Sequence, residues 1–427
     1  MKGKLSTLIA VAVILSLLGA ACAPAATPTP KPVEKVFKLG VLGPFTGPAA
    51  RTGEEIKNGY IMAFDAIGYK VGDYKIEFVY IDSQSDPAKA TTAYEEAIVR
   101  DKIQAGAGGW HSSVSVACME VTAKYKLPHF FSAGETNVVS EKFRSDMDKY
   151  GYWMAKGWPM PQALVSKTYA VAFDDFVQAG VWPADKKTIA ISCEDTDFGR
   201  AVGGPLNQYL TDRGWEILAE DYFPLEETEF YPLLTKYKNS GADVVIVTDT
   251  AAAGISAFTK QAKEIGLEAL LIGHGLGWIG EWYELTGDAS DYALDQIPQL
   301  ASPESRAWAT EFENKWGFKA SPSAAGLAYD WANFLIKIME ATIKEYGEMT
   351  SETLYKFGRE KLWTGQFTYT DGIIMPRYRF SMESIPDPVV GKEDFLFPVI
   401  QYFSGKGVIV WPFDWKEADL KIPPWVK

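Results

Sequence analysis

Histidine and cysteine are scarce here, three of each in 427 residues, so there is little material for metal or redox chemistry. His111, His129 and His274 show no H-E-x-x-H spacing, and no G-x-S-x-G nucleophile turn occurs. An exported enzyme therefore stands as a reading without a catalytic constellation. No metal or cofactor is expected, although His111 and His274 could still face one cleft. Basic residues are also in the minority, 42 Lys and Arg against 55 Asp and Glu, for a formal net charge of -13. Such a body is a poor partner for nucleic acid. Beyond Leu18 no apolar run approaches the roughly 20 residues that a membrane helix needs.

The first residues point to export. Lys2 and Lys4 precede an 11-residue apolar run, Leu8 to Leu18, interrupted only by Ser16, and the small residues Gly19, Ala20 and Ala21 lead to Cys22. That order reads as a signal peptide over 1–21. It also resembles a bacterial lipobox, which implies that Cys22 is lipidated and anchors the chain to the outer face of the cytoplasmic membrane. Gly19 stands where that pattern usually has Leu. Ordinary cleavage beside an incidental Cys22 is the plainer alternative. Residues 22–35 are rich in Pro, Ala and Thr and read as an extended tether.

The remaining body, about 390 residues, suggests two domains. Phe37–Gly43 and Lys75–Ile81 read as strands, and Glu54–Ile67 and Ala88–Val99 as amphipathic helices. The pattern restarts with strands at Lys187–Ser192, Ala242–Thr248 and Ala269–Ile272. Helices over Arg200–Arg213 and Ile255–Ile265 alternate with them, each stopped by a glycine. Two α/β lobes with mostly parallel sheets follow, with ligands expected at the carboxyl ends of the strands. Near the C-terminus Leu362–Phe367 reads as a strand, and Pro398–Phe403 with Val408–Pro412 as a hairpin turning at Ser404–Gly407.

Several segments in fixed order resemble type I periplasmic binding proteins of the branched-chain amino-acid (Leu/Ile/Val-binding) ABC transporter class. They are Gly43–Pro48 with Gly53–Gly59, Asp82–Pro87 with Ala90, Ser112–Ala117 with Tyr125–Pro128, and Asp197–Gly199. Glu229–Leu234, Gly241–Val245, Lys260–Ala262 and Val408–Pro412 continue the series. The resemblance implies a two-lobed fold with three crossovers, which we place near Gly157, Asp291 and Gln366. Lobe 1 is then 36–157 plus 292–366, and lobe 2 is 158–291 plus 367–427. Cys118 and Cys193 fall in different lobes, where a bridge would block hinge opening, so both are expected free. The implied function is an extracytoplasmic receptor that delivers a small molecule to ABC transporter permease subunits. A sensory module on the same fold is the alternative.

The resemblance also implies site residues. Ser112 and Ser113 begin a helix, where hydroxyls and free N–H groups suit a carboxylate, though Ser-Ser also serves as a plain N-cap. Trp110 and His111 share that loop. Gly134 is implied as a backbone contact and Thr136 as a hydroxyl, with Glu135 a ligand group or else a solvated loop charge. Phe198 takes the position of an aromatic ring that closes over the ligand, with core packing as its other reading. Trp278 lies on the Gly-rich loop after Ala269–Ile272. That loop satisfies G-x-G-x-x-G with Asp295 beyond it, but falls too late in the chain for a dinucleotide site. No acid stands there to meet a ligand ammonium. Asp249 is a substitute or else a helix cap, and Arg51 is a partner for an acidic ligand or else a surface residue. Together these suggest a carboxylate on an aromatic, apolar or amino-acid-like body.

Overall fold

The computed structural model describes residues 35–134, 136–375 and 377–426. The expected signal peptide, Cys22, nearly all of the tether and Glu135 lie outside these residues. Among the described residues no helix is long and apolar enough to cross a membrane.

The first lobe alternates strand and helix from its start. Phe37, Leu39 and Val41 bury one face of β1 (Lys35–Gly43), and α1 (Ala50–Ala66) follows. The hairpin β2 (Lys70–Val71) and β3 (Tyr74–Asp82) leads to α2 (Pro87–Val99). There the Asp86 side chain accepts the Ala88 and Lys89 amides and Pro87 fills the first turn, a strong signal for a helix start. β4 (Ala105–Gly108), α3 (Ser112–Tyr125), β5 (His129–Ser132), α4 (Asn137–Ser145) and β6 (Trp153–Lys156) complete the run. The sheet order is β2-β3-β1-β4-β5-β6, with β1, β4, β5 and β6 parallel. Their carboxyl ends therefore share one edge of the lobe.

The second lobe repeats the scheme with α5 (Lys167–Gln178), β7 (Thr188–Glu194), α6 (Asp197–Thr211), β8 (Glu216–Phe223) and α7 (Tyr231–Ser240). β9 (Val244–Thr248), α8 (Ala252–Glu264), β10 (Leu270–His274) and β11 (Leu294–Gln296) follow. Its seven-stranded sheet has the order β13-β12-β11-β10-β9-β7-β8, closed by the antiparallel pair β12 (Val399–Phe403) and β13 (Lys406–Trp411). Val244 to Val247 are fully buried, as a parallel strand covered on both faces requires. Cys118 and Cys193 are both buried free thiols.

Two crossings come later than expected. The second follows Gln296 rather than Asp291, because β11 pairs with β10 and β12 inside the second sheet. The third lies well past Gln366. Asp330, on α10 (Leu327–Tyr346) after α9 (Pro303–Trp316), accepts the amides of Ile373, Ile374 and Met375. The buried Lys156 ammonium lies 2.7 Å from Asp387, which also accepts the Ser140 hydroxyl at 2.7 Å. These ties hold 369–387 on the first lobe. Leu362–Phe367 is not a strand: Leu362 and Trp363 are buried side by side, and the Trp363 indole donates to the Met154 carbonyl at 2.8 Å.

Candidate functional site

The carboxyl ends of both sheets meet around one small cavity. From the first lobe come Trp110, His111 and Ser112, on the turn from β4 into α3, and Ala133 after β5. From the second come Phe198 at the start of α6, Thr250 after β9 and Trp278 after β10. Trp158 joins them from the crossover after β6. The space left is about 10 Å³, room for roughly one water. The cleft is closed on its own aromatics. Trp110 and Trp278 lie 5.5 Å apart at 86°, Trp110 and Trp158 6.3 Å at 85°, and Trp158 and Trp278 6.1 Å at 87°. Three mutually perpendicular indoles are a favourable edge-to-face arrangement. Phe198 adds a ring 5.7 Å from Trp278.

Local sequence explains these positions. Ser115 and Ser132 share a hydrogen bond at 2.8 Å, which fixes the start of α3 to the tip of β5. Gly134 donates its amide to the Ser132 hydroxyl, and a Cβ there would stand 1.8 Å from Ser115 Oγ, so only glycine fits. The Ser112 hydroxyl oxygen accepts the Thr136 amide at 3.2 Å, which leaves its own proton to give. On the other side, Gly275 has φ +113°, and an added Cβ would lie 2.6 Å from the Asp249 carbonyl. Asp295 accepts the Gly277 amide at 2.9 Å and the Tyr402 hydroxyl at 2.9 Å. The spacing from Gly275 to Asp295 thus serves to pin the Gly-rich loop that carries Trp278.

The polar character of the cavity is one-sided. The indole N–H groups of Trp110, Trp158 and Trp278 are buried with no hydrogen-bond partner among the described residues. No side chain caps the N-terminus of α3, so its amides add positive potential at Ser112. None of the lining residues is Lys, Arg, Asp or Glu. Burial pushes the His111 pKa down to about 4, so the ring is neutral at physiological pH. Glu194, behind Thr250, is pushed up by burial. Asp249 is pushed up by burial and then by the Glu194 carboxylate.

Of the expected site residues, the structure brings Trp110, His111, Ser112, Phe198 and Trp278 to the cavity. Ser113, Gly134 and Thr136 are not among the residues that line it, and Thr136 caps α4 through the Val138 amide. Asp249 is turned away: its Oδ1 accepts the Ala251 amide, and its Oδ2 lies against Gly254. Arg51 is spent elsewhere, with Nη2 2.8 Å from both oxygens of Glu281. Trp158 and Thr250 are additions that sequence reasoning missed. Trp158 lies in a Gly/Pro-bounded crossover without periodicity, whereas Thr250 sits two residues past an anticipated strand end.

A family model described as periplasmic binding protein matches residues 36–376. The chain belongs to this family. Among relatives of this periplasmic binding protein is the Leu/Ile/Val-binding protein homolog 6 of Brucella suis biovar 1 (strain 1330). It is 26% identical over 330 residues, covering 72% of this chain and 76% of the relative. A putative branched-chain amino acid ABC transporter structure from Silicibacter pomeroyi superposes with TM-score 0.74 at 17% identity, covering 92% of this chain and all of that one. A solute binding protein of an ABC transporter from Rhodopseudomonas palustris BisB5, in complex with 3,4-dihydroxy benzoic acid, gives TM-score 0.71 at 20% identity, covering 87% and 95%. The periplasmic binding proteins are an extracytoplasmic solute-binding class, and the two-lobed fold is the one these neighbours share.

Proposed function

We propose that the chain is the solute receptor of an ABC importer and captures a small carboxylate with an aromatic or otherwise apolar body between its lobes. One observation carries the reading. Unpartnered indole N–H groups and the uncapped start of α3 surround a cavity walled by aromatic rings. Buried donors without acceptors are costly, and a carboxylate supplies acceptors. The ring faces favour a flat apolar body. The absence of an acidic side chain from the described lining argues against a plain α-amino acid, whose buried ammonium would lack a partner. The 3,4-dihydroxybenzoic acid bound by the Rhodopseudomonas palustris neighbour agrees with this chemistry. Delivery to permease subunits and anchoring through Cys22 belong to the same proposal.

Ligand entry requires the lobes to part, since the closed cleft holds roughly one water. Native mass spectrometry of the purified protein tests the reading by identifying a co-purified small molecule. An aromatic acid is expected. A branched-chain amino acid would overturn the ligand class while leaving the receptor role intact.

A further inference from the structure

The cavity also contains a polar atom of opposite character to the indoles. His111 Nε2 is buried and has no hydrogen-bond partner among the described residues. Whether it gives or accepts a hydrogen bond depends on where the ring proton sits, and neighbouring residues decide that. His111 Nδ1 faces Thr250 Oγ1 across the cleft at 3.4 Å. Thr250 Oγ1 lies 2.6 Å from Glu194 Oε2, and the Thr250 amide donates to that same oxygen at 2.5 Å. An oxygen that already accepts a backbone N–H is the acceptor of its carboxyl group, so the Thr250 hydroxyl proton goes to Glu194. The Thr196 hydroxyl, 2.6 Å from Glu194 Oε1, fixes the other oxygen while capping α6. Thr250 Oγ1 then accepts from His111, which puts the ring proton on Nδ1. A neutral imidazole carries one N–H, so Nε2 presents a bare lone pair.

We infer that His111 Nε2 accepts a hydrogen bond from a hydroxyl group on the ligand, making the preferred solute a hydroxylated aromatic carboxylate rather than its unsubstituted parent. This rests on the proposed carboxylate reading and deepens it. The indoles and Ser112 donate to the carboxylate, and the bare Nε2 lone pair takes a group that donates without bringing charge. An ammonium would carry a charge into a lining that has no carboxylate, and a bare ring would leave the buried lone pair unpaired. His111 is the residue that reads the hydroxyl, and Thr250 and Glu194 position its tautomer.

The test has two arms on the full chain. In the first, the protein is labelled with ¹⁵N-histidine and the ring shifts are read without ligand, the His111 signals being assigned by their loss in His111→Phe. Nδ1–H with unprotonated Nε2 is expected, and the opposite tautomer overturns the inference whatever the ligand. In the second, benzoate, the three monohydroxybenzoates and the methoxy ether of the tightest isomer are titrated by calorimetry. Wild type should bind at least one hydroxy isomer about 10-fold more tightly than benzoate or the ether. In His111→Phe the ratio of hydroxy-isomer to benzoate affinity should fall to about one, and Thr250→Val should lower that ratio part-way. Equal binding of benzoate and every hydroxy isomer, or a preference that survives in His111→Phe, refutes the role of His111 alone. Binding of neither benzoate nor any hydroxy isomer refutes the aromatic-acid reading with it.

Discussion

Arg51 on α1 of the first lobe grips Glu281 on the loop after β10 of the second, with one guanidinium nitrogen 2.8 Å from each carboxylate oxygen. The guanidinium also stacks 3.6 Å above the Phe318 ring. One turn along α1, the fully buried Glu55 accepts the Gly280 amide at 3.0 Å and the Ser321 amide at 2.9 Å, so it too joins the lobes. Of these contacts, those to Glu281 and Gly280 tie the first lobe to the second.

Removing the pair should shift the chain toward an open state. Both side chains are about one quarter exposed, so solvent weakens the attraction, and a coupling of about 1 kcal/mol is expected. Arg51→Ala or Glu281→Ala should enlarge the radius from small-angle scattering without ligand and lower ligand affinity several-fold. The double variant should resemble either single one. Unchanged scattering in all three would deny the pair a role in closure.

Glu55 gives the clasp a pH dependence. Burial outweighs Arg51 and the two amides and raises its pKa from the usual 4.5 to about 7. The folded state therefore holds a proton that the unfolded chain releases near 4.5. Stability from this group is full below pH 4.5 and falls as pH rises toward 7, by about 1.4 kcal/mol for each pH unit between those two values. Asp330, raised to about 7 by burial despite three backbone amides, acts in the same sense. His111, lowered to about 4, and His129, lowered to about 3, oppose them below pH 6.5, where unfolding frees both rings to charge. Glu194 and Asp249, both raised by burial, add to the decline. Urea denaturation from pH 5 to 8 should show declining stability, and Glu55→Gln should flatten the slope. A slope unchanged in that variant would show that Glu55 is not the titrating group.

The anchor makes a separate prediction. Cys22→Ser should move the protein from the membrane fraction to the soluble fraction. A wild-type chain that already fractionates as soluble, with no lipid mass on its N-terminus, would refute lipidation.

Much of the site is legible in the sequence because its residues follow strand tips. Trp110, His111 and Ser112 come directly after β4, Phe198 after β7 and Trp278 after β10, and apolar runs mark β7 and β10. Side-chain direction is not legible. Nothing local shows that Asp249 turns back onto Ala251 while its neighbour Thr250 faces the cavity. Arg51 reads as a free cation because its partner lies 230 residues away. Asp295 reads as an incidental match to a nucleotide motif because its hold on Gly277 and Tyr402 exists only in three dimensions. The third crossing is misplaced in the sequence reading because residues 367–395 follow no period. Asp330 and Lys156 hold that stretch through backbone amides and a buried ion pair, which leave no pattern in sequence.

The central claim is that the cleft recognises a carboxylate through neutral donors. Calorimetric titration of an aromatic acid and its neutral amide tests it most directly, against wild type and a Ser112→Ala variant. A hydrogen bond to a charged group is worth roughly 1.5 to 3 kcal/mol, so the Ser112→Ala variant should bind the acid about 10- to 100-fold more weakly and the amide nearly as tightly as wild type does. Equal losses for acid and amide, or wild type binding both alike, would contradict the account.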